Sequence, residues 1–486
     1  MGIEFANAIH NLETAKTSKT IAIHPDRINF LMADESEFSS SMEMLVSGEQ
    51  GKERLKRFWV ENWTTPDQGF KWELNTPEDG NYLIDVRISA PPGTEIEIQG
   101  PQGKLRFKTQ QTPDRWNWHW DRISLPEPLF LPKGISSITA QLTRPLSITD
   151  ESNSNEACLK SLEFVHVDYK PELEAQIKAS RANTEWLRDA KFGIMLQWGE
   201  WGYPRHGDKK EWPGMIDDFD VEQFAEKIAS TRAGYVLWSA TWRTYYFPAP
   251  IKAIDDILPG RTSKRDLIGE LADALAKRGI KLVLYYHLGH DTTPENGEWW
   301  SHNWVSWDDK QLFLDNWSSI VREVGERYGD KLAGWFFDDG LIFYPAPFEE
   351  LSNTAKAGYQ DRLISYNPWI QARDTDFQEI FFGEAFQWRN DLPVGGSGIF
   401  PDGPHKGLLA HSNFIVEDGP GWGIWQPDTE IKGHHYTREE AIKMALHAAE
   451  RNYILSWNIL MYEDGYIWEE TLELLREVGN AVREKY

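Results

Sequence analysis

Gly334-Trp335-Phe336-Phe337-Asp338-Asp339-Gly340 is an apolar run that ends in two carboxylates and a glycine. Buried strands of parallel sheets read as short continuous apolar runs. In a barrel of such strands the reacting groups sit at the strand C-termini. A strand closing on Asp-Asp-Gly therefore suits an acid held in a pocket. A structural strand followed by an Asp-Gly turn would carry the same letters, so the surrounding elements must decide between the two. Because side chains alternate along a strand, Asp338 and Asp339 point to opposite sides and one of them faces any pocket.

The elements that would position such an acid begin near residue 191. Phe192–Leu196, Tyr235–Trp238, Lys281–Tyr286, Leu363–Tyr366, Ile380–Phe382 and Tyr453–Leu460 read as strands. Helical segments are read at Val221–Arg232, Asp266–Arg278, Leu312–Arg327 and Glu469–Arg483; in the second of these Leu267, Leu271 and Leu275 share one face. Alternating β and α units imply right-handed crossovers and a parallel sheet, and their number fits a (β/α)₈ TIM-like barrel. Before it the rhythm differs. Residues from about 20 to 168 alternate in short runs such as Tyr82-Leu83-Ile84-Asp85-Val86-Arg87-Ile88, separated by turn signals such as Pro91-Pro92-Gly93 and Pro132-Lys133-Gly134. That pattern predicts an all-β sandwich or jelly roll. The expected organisation is a β-sandwich over 1–170, a helical connector over 171–190 and a barrel over 191–486.

At 486 residues the chain has room for a barrel and a second module. A net charge of −25 argues against nucleic acid or an anionic membrane surface as partner. The 24 tryptophans lean towards carbohydrate, because indole faces stack on sugar rings, although some must be core. Cys158 is the single cysteine, so no intrachain disulfide forms; no Cys/His cluster has zinc spacing, and His434-His435 is an adjacent pair. Neither a signal peptide nor a membrane-spanning apolar run is read from the sequence. The compartment and the oligomeric state stay open.

Several segments together resemble the α-L-fucosidase family, family 29 of the glycoside hydrolases, over roughly residues 186 to 484. Lys191-Phe192-Gly193-Ile194-Met195-Leu196-Gln197-Trp198-Gly199 is similar to that family's first strand. Glu211-Trp212 precedes a Phe219-Asp220 segment as in the family, and Lys264–Leu271 with Lys277-Arg278-Gly279 and Tyr285-Tyr286 follow in the family's order. The opening strand is similar to its nucleophile strand. The resemblance implies a retaining glycosidase with two carboxyl groups, one forming a covalent glycosyl intermediate and one exchanging a proton. It implies a nucleophile at Asp338, with Asp339 as the alternative. For the acid/base it offers Glu384, closing Glu379–Gly383 beside Phe381, Phe382 and Phe386, and Glu417, within Phe414–Gly423. Apolar neighbours raise a carboxyl pKa, as a general acid requires, which favours Glu384. Two carboxylates suffice for this chemistry, so no cofactor and no metal are expected. The β module resembles galactose-binding-like sandwiches around Trp72 and Pro77–Ile88; the family usually carries its sandwich after the barrel.

The sequence also departs from the family. Gln197 stands where the first-strand histidine belongs, and Thr241-Trp242-Arg243-Thr244 replaces a histidine-bearing segment, so three imidazoles that hold fucose are missing. Trp242 offers a stacking face. Arg243 offers a planar fork suited to a carboxylate or sulfate, or else to a structural ion pair. The expected substrate is thus an oligo- or polysaccharide carrying an α-linked fucose-related or modified sugar. Gln197, Trp198, Glu211, Trp212, Trp242, Arg243, His287, His290 and Trp422 are the candidate sugar-binding residues. The alternatives are a catalytically inactive carbohydrate-binding protein, a glycosidase of other specificity such as α-galactoside or L-galactoside, and an inverting enzyme.

Overall fold

The computed structural model describes residues 19–47, 56–110, 120–146, 156–242, 245–287, 311–338, 343–384 and 392–486. The described chain forms two compact units. One runs to Ala179 and takes in 370–372; the other starts at Ser180.

The first unit contains two sheets. In one, Gly69–Thr76 pairs with Gly134–Leu142, which continues through Glu95–Gly100 to Gly103–Lys108. In the other, Gly80–Ser89 and Ala157–His166 form the central antiparallel pair. Alternation decides the faces: in Gly69–Thr76 every second residue is buried. Phe70, Trp72 and Ile138 from the first sheet and Ile84, Val86 and Phe164 from the second share one apolar core. Trp72 is spent there, with its indole N–H donated to the Met32 carbonyl at 2.7 Å. Cys158 is buried, and burial pushes its thiol well above the ordinary value, so it is a neutral core side chain.

The second unit is built on a parallel seven-stranded sheet. Its strands are β1 (Phe192–Leu196), β2 (Tyr235–Thr241), β3 (Lys281–His287), β4 (Leu332–Asp338), β5 (Leu363–Tyr366), β6 (His411–Ile415) and β7 (Ile454–Ile459). Their spatial order is β5-β4-β3-β2-β1-β7-β6. Backbone bonds also join the two ends of that order. Glu379 N–H donates to the Ile364 carbonyl, Phe381 N–H to the Leu409 carbonyl and Leu409 N–H to the Glu379 carbonyl. The segment 379–381 thus lies between β5 and the start of β6, where the sequence predicts a strand at Ile380–Phe382.

Helices α1 (Val221–Ser230), α2 (Leu267–Ala276), α3 (Gln311–Tyr328), α4 (Phe348–Ala355), α5 (Arg438–Arg451) and α6 (Glu469–Lys485) alternate with the strands. Their ends are set locally. Asp220 and Asp266 cap α1 and α2 by accepting the Gln223 and Gly269 N–H groups. Thr437 and Glu440 form a capping box at the start of α5. Gly279, at φ +73°, lets the chain turn from α2 into β3. Alternate strand residues divide the packing. Trp335 and Phe337 face the helices, where the Trp335 indole donates to the Ala355 carbonyl and Phe337 meets Trp317 of α3. Met195, Leu237, Val283, Tyr285, Phe336 and Phe382 face inward in a separate core. The inner parity therefore carries Gln197, Asp338, Asn367, Asn413 and Asn458.

Candidate active site

Asp338 closes β4 with its side chain half-buried, and in register with it across the sheet is His287, the last residue of β3. Two donors hold its carboxylate. The Tyr285 hydroxyl donates to Oδ2 and the Asn367 amide nitrogen donates to Oδ1 at 2.5 Å. Burial, then the charge of Asp338, pushes the Tyr285 hydroxyl well above its ordinary value, so it stays protonated and remains a donor; Gln197 donates to the same oxygen. Asn367 follows β5 by one residue, and its own Oδ1 accepts the Trp369 N–H at 2.9 Å, which locks the amide's orientation.

The Asn367 amide nitrogen donates a second time, to Oε2 of Glu384. One nitrogen touching both carboxylates leaves the two bonded oxygens within about 5 Å of each other, nearer the spacing of a double-displacement pair than that of an inverting pair. Glu384 is half-buried and follows the segment that bridges β5 and β6. That segment is itself anchored. Buried Glu379 accepts from Ile364 N–H at 2.8 Å, Ala182 N–H at 3.0 Å and Lys356 Nζ at 2.6 Å. Beneath the pair, His411 is neutral, since burial lowers it to about 4. Its Nδ1–H can be satisfied by the Phe382 carbonyl alone, so Nε2 accepts from the Ser456 hydroxyl at 2.8 Å.

Glu417 lies in a different network. It is fully buried; Thr471 at the start of α6 donates to Oε1 at 2.9 Å, and Leu460 N–H donates to Oε2 at 3.1 Å. His434 reaches the same Thr471 hydroxyl at 3.0 Å. Burial pushes the Glu417 carboxyl up to about 8, so near neutral pH it is a protonated acid that ties the end of β7 to α6.

The remaining candidates divide into three groups. Gln197, His287, Trp242 and Trp422 are gathered on the inner side: Trp242 meets His287 at 5.7 Å and Trp425 at 4.0 Å between ring centres, and both Trp242 and Trp422 pack against the inner core. Trp198 and Trp212 are buried behind the sheet in an aromatic layer with Phe219 and Trp238, and Glu211 is an exposed residue that starts the short helix Trp212–Asp217. Their residue types fit a sugar cleft, but strand parity turns Trp198 outward when Gln197 points in. Asp339, Arg243, His290 and Phe386 lie outside the described residues. Tyr285 and Asn367 are not singled out by the sequence: strand parity turns each inward, but nothing local shows that either meets Asp338. Among the described residues no helix is long and apolar enough to cross a membrane.

No protein-family model matches this sequence. A Caenorhabditis elegans protein named "Putative alpha-L-fucosidase" is 27% identical over 161 residues, an alignment that covers 26% of this chain and 33% of that protein. The chain thus matches about a third of the length of this curated relative, whose name is that of the family the motifs above resemble. Among solved structures, an α-L-fucosidase of Lactobacillus casei in complex with α-L-fucose has a TM-score of 0.43 at 17% identity, covering 62% of this chain and 99% of that one. An endo-fucoidan hydrolase of glycoside hydrolase family 107 has a TM-score of 0.47 at 16% identity, covering 62% and 64%. A trapped covalent intermediate of a family 29 α-L-fucosidase from Bacteroides thetaiotaomicron has 0.43 at 16%, covering 62% and 76%. These superpositions, all below a TM-score of 0.5, decide neither the fold nor the chemistry of this chain.

Proposed function

We propose that the chain is a retaining, exo-acting glycoside hydrolase of fucosidase type, with Asp338 as nucleophile and Glu384 as acid/base, acting on an α-linked fucose-related sugar of an oligo- or polysaccharide. The observation that carries this reading is the single Asn367 amide shared by the two carboxylates. Asp338 attacks the anomeric carbon as the glycosidic C–O bond breaks, and Glu384 gives its proton to the departing oxygen. Glu384 then takes a proton from water, whose oxygen displaces Asp338 from the glycosyl ester and restores both carboxyl groups. Tyr285 and Asn367 hold the two oxygens of Asp338 so that the attacking lone pair has a fixed direction. Glu417 is left out of the chemistry because its oxygens are occupied by Thr471 and Leu460.

On this reading the second unit is a (β/α)₈ barrel whose eighth member is the short 379–381 segment, which the backbone bonds to Ile364 and Leu409 support. The first unit is a jelly-roll sandwich that is structural or carbohydrate-binding, with 171–190 as a helical connector to the barrel from 191. The test is incubation with a 2-fluoro-fucosyl fluoride followed by peptide mapping. Label is expected on Asp338, and Asp338→Asn is expected to lose more than about a thousandfold in turnover while keeping its melting temperature. An unlabelled protein that still binds fucosides would be a carbohydrate-binding protein, a reading that Gln197 in place of a histidine favours. Label on Asp339 would move the nucleophile by one residue, and an inverted first-formed anomer would overturn double displacement.

A further inference from the structure

Towards the mouth of the sheet several inward residues are polar, although β6 itself ends on the apolar Ile415, which shares the parity of Asn413. From Asp338 the order runs through Asn367 and Glu384 to Asn413 of β6, Asn458 of β7 and Gln197 after β1. The Ile380–Leu409 bridge and the Phe382–His411 bond run the 379–382 segment alongside β6, and Asn413 shares the parity of His411, which bonds Phe382 and Ser456 on the inner side. Asn458 shares the parity of Ser456 and pairs with Met195 of the inner core.

Other interior groups, such as the Trp317 indole and the Gln378 carbonyl oxygen, also lack partners, but the three consecutive amides bring theirs together on the inner side of the sheet. Asn413 is completely buried with neither Oδ1 nor Nδ2 partnered. Asn458, equally buried, donates Nδ2 to the Trp422 carbonyl at 3.2 Å, which fixes the amide and leaves Oδ1 without a donor. Gln197 turns its nitrogen to the Tyr285 hydroxyl and leaves Oε1 without a donor. A buried polar atom left unpaired costs about 1–3 kcal/mol, and native proteins keep such groups few. Three on adjacent strands, beside a carboxylate pair, describe a partner that arrives from outside.

The atoms also describe that partner. Three free carbonyl oxygens and one free NH₂ want a ligand with several hydrogens to donate and little negative charge. Sugar hydroxyls donate and accept; a sulfate or carboxylate only accepts and would face amide oxygens with like polarity. We infer that Asn413 and Asn458, together with Gln197, read the hydroxyls of a neutral sugar ring, so that the sugar held at the carboxylate pair carries neither sulfate nor carboxylate. This rests on the glycosidase reading and narrows its substrate. The arc's atoms are closed to solvent, so entry of a ring displaces the half-buried Trp242 and Trp422 side chains that pack against this core.

The test uses wild type, Asn413→Leu and Asn458→Leu with 4-nitrophenyl α-L-fucopyranoside, its monodeoxy analogues and its ring-sulfated derivatives. For the intact fucoside, kcat/KM is expected to fall by about a hundredfold or more in Asn413→Leu, because a site built to bond a hydroxyl discriminates strongly once one side of the bond is missing. For the deoxy analogue lacking the hydroxyl that Asn413 reads, variant and wild type should agree within about threefold. Melting temperature should hold or rise, since an unpaired buried amide has been removed, and sulfated fucosides should be the poorer substrates of wild type. Wild-type turnover with both leucine variants unimpaired on every substrate, or a preference for sulfated rings, overturns the inference and leaves the hydrolase reading standing. Should wild type turn over none of these, saturation-transfer NMR with L-fucose decides alone. Binding that Asn413→Leu abolishes keeps the inference without the hydrolase; binding that is absent or unaffected overturns it.

Discussion

Replacing Asn367 by alanine removes one amide that serves two carboxylates. Its nitrogen donates to Asp338 at 2.5 Å and to Glu384, and its oxygen holds the Trp369 N–H at 2.9 Å. A hydrogen bond to a charged group contributes about 1.5–3 kcal/mol. With the two carboxylate oxygens within about 5 Å and an effective dielectric of about 20, their mutual repulsion when both are charged is about 3 kcal/mol, which the intervening N–H dipole offsets in part. Water entering the vacated space restores some of each loss. A net penalty of about 3 kcal/mol in the transition state corresponds to roughly a 150-fold fall in rate. The fall belongs in kcat rather than KM, because Asn367 positions the reacting carboxylates. The assay is kcat and KM on an activated aryl α-L-fucoside, with the labelling rate by 2-fluoro-fucosyl fluoride and the melting temperature measured on the same preparation. Asn367→Asp, which keeps an acceptor for Trp369 but puts a third carboxyl group between the other two, should be worse than alanine. A change below threefold with labelling undisturbed would refute the bridging role. So would a loss fully accounted for by unfolding.

Three further outcomes follow from the same geometry. Glu384→Ala should lose at least about a hundredfold on substrates with poor leaving groups, much less on a dinitrophenyl fucoside or fucosyl fluoride, and be rescued by azide with the same anomeric configuration as the hydrolysis product, because azide opens the same glycosyl ester; equal losses on all substrates would remove Glu384 from the acid role. Glu417→Gln should keep activity within about tenfold, whereas an acid/base at this position would lose hundreds-fold on poor leaving groups. The same variant tests pH-linked stability. Glu417 is held up at about 8 in the folded state against an ordinary value of 4.5, so its contribution is complete below about 4.5 and is lost as pH rises through about 8. The melting temperature of Glu417→Gln should therefore match wild type near pH 5 and exceed it increasingly up to pH 8.5; a constant difference across that range would contradict a neutral buried carboxyl.

What the sequence revealed divides along the range of the forces involved. Strands such as Leu363–Tyr366 and helices such as Leu267–Ala276 announce themselves through local apolar runs, caps and glycines. β6 did not, because His411-Ser412-Asn413-Phe414-Ile415 buries three polar residues and has no alternation to read; its place in the sheet is decided by β7. The carboxylate strand was legible because Asp338 interrupts an apolar run. Asn367 was not, since its importance lies in two oxygens that come from residues 29 positions earlier and 17 later. Glu417 sits among aromatic and aliphatic letters much like those around Glu384. The two separate only when Thr471 and Leu460 are seen to occupy one of them. Tryptophan content leans towards sugar, yet Trp59, Trp63, Trp72, Trp198, Trp238, Trp317, Trp335 and Trp457 are all fully enclosed, and among the described residues Trp201, Trp242, Trp422 and Trp425 are rings near the candidate pocket.

The segment that joins β5 to β6 is held by three backbone–backbone hydrogen bonds, by the buried Glu379 anchor and by Ser365 and His411 side chains on its carbonyls, whereas neighbouring strands share longer ladders. The residue assigned to proton exchange hangs five positions beyond that anchor. Regions with few rungs open at lower free energy than the body of a sheet. Heating is therefore expected to silence the molecule before it melts: the temperature of half-inactivation should lie below the calorimetric midpoint, and activity should return on cooling from the interval between them. A seam of this kind ties the residue proposed for proton exchange to a part of the frame with fewer backbone rungs than its neighbours.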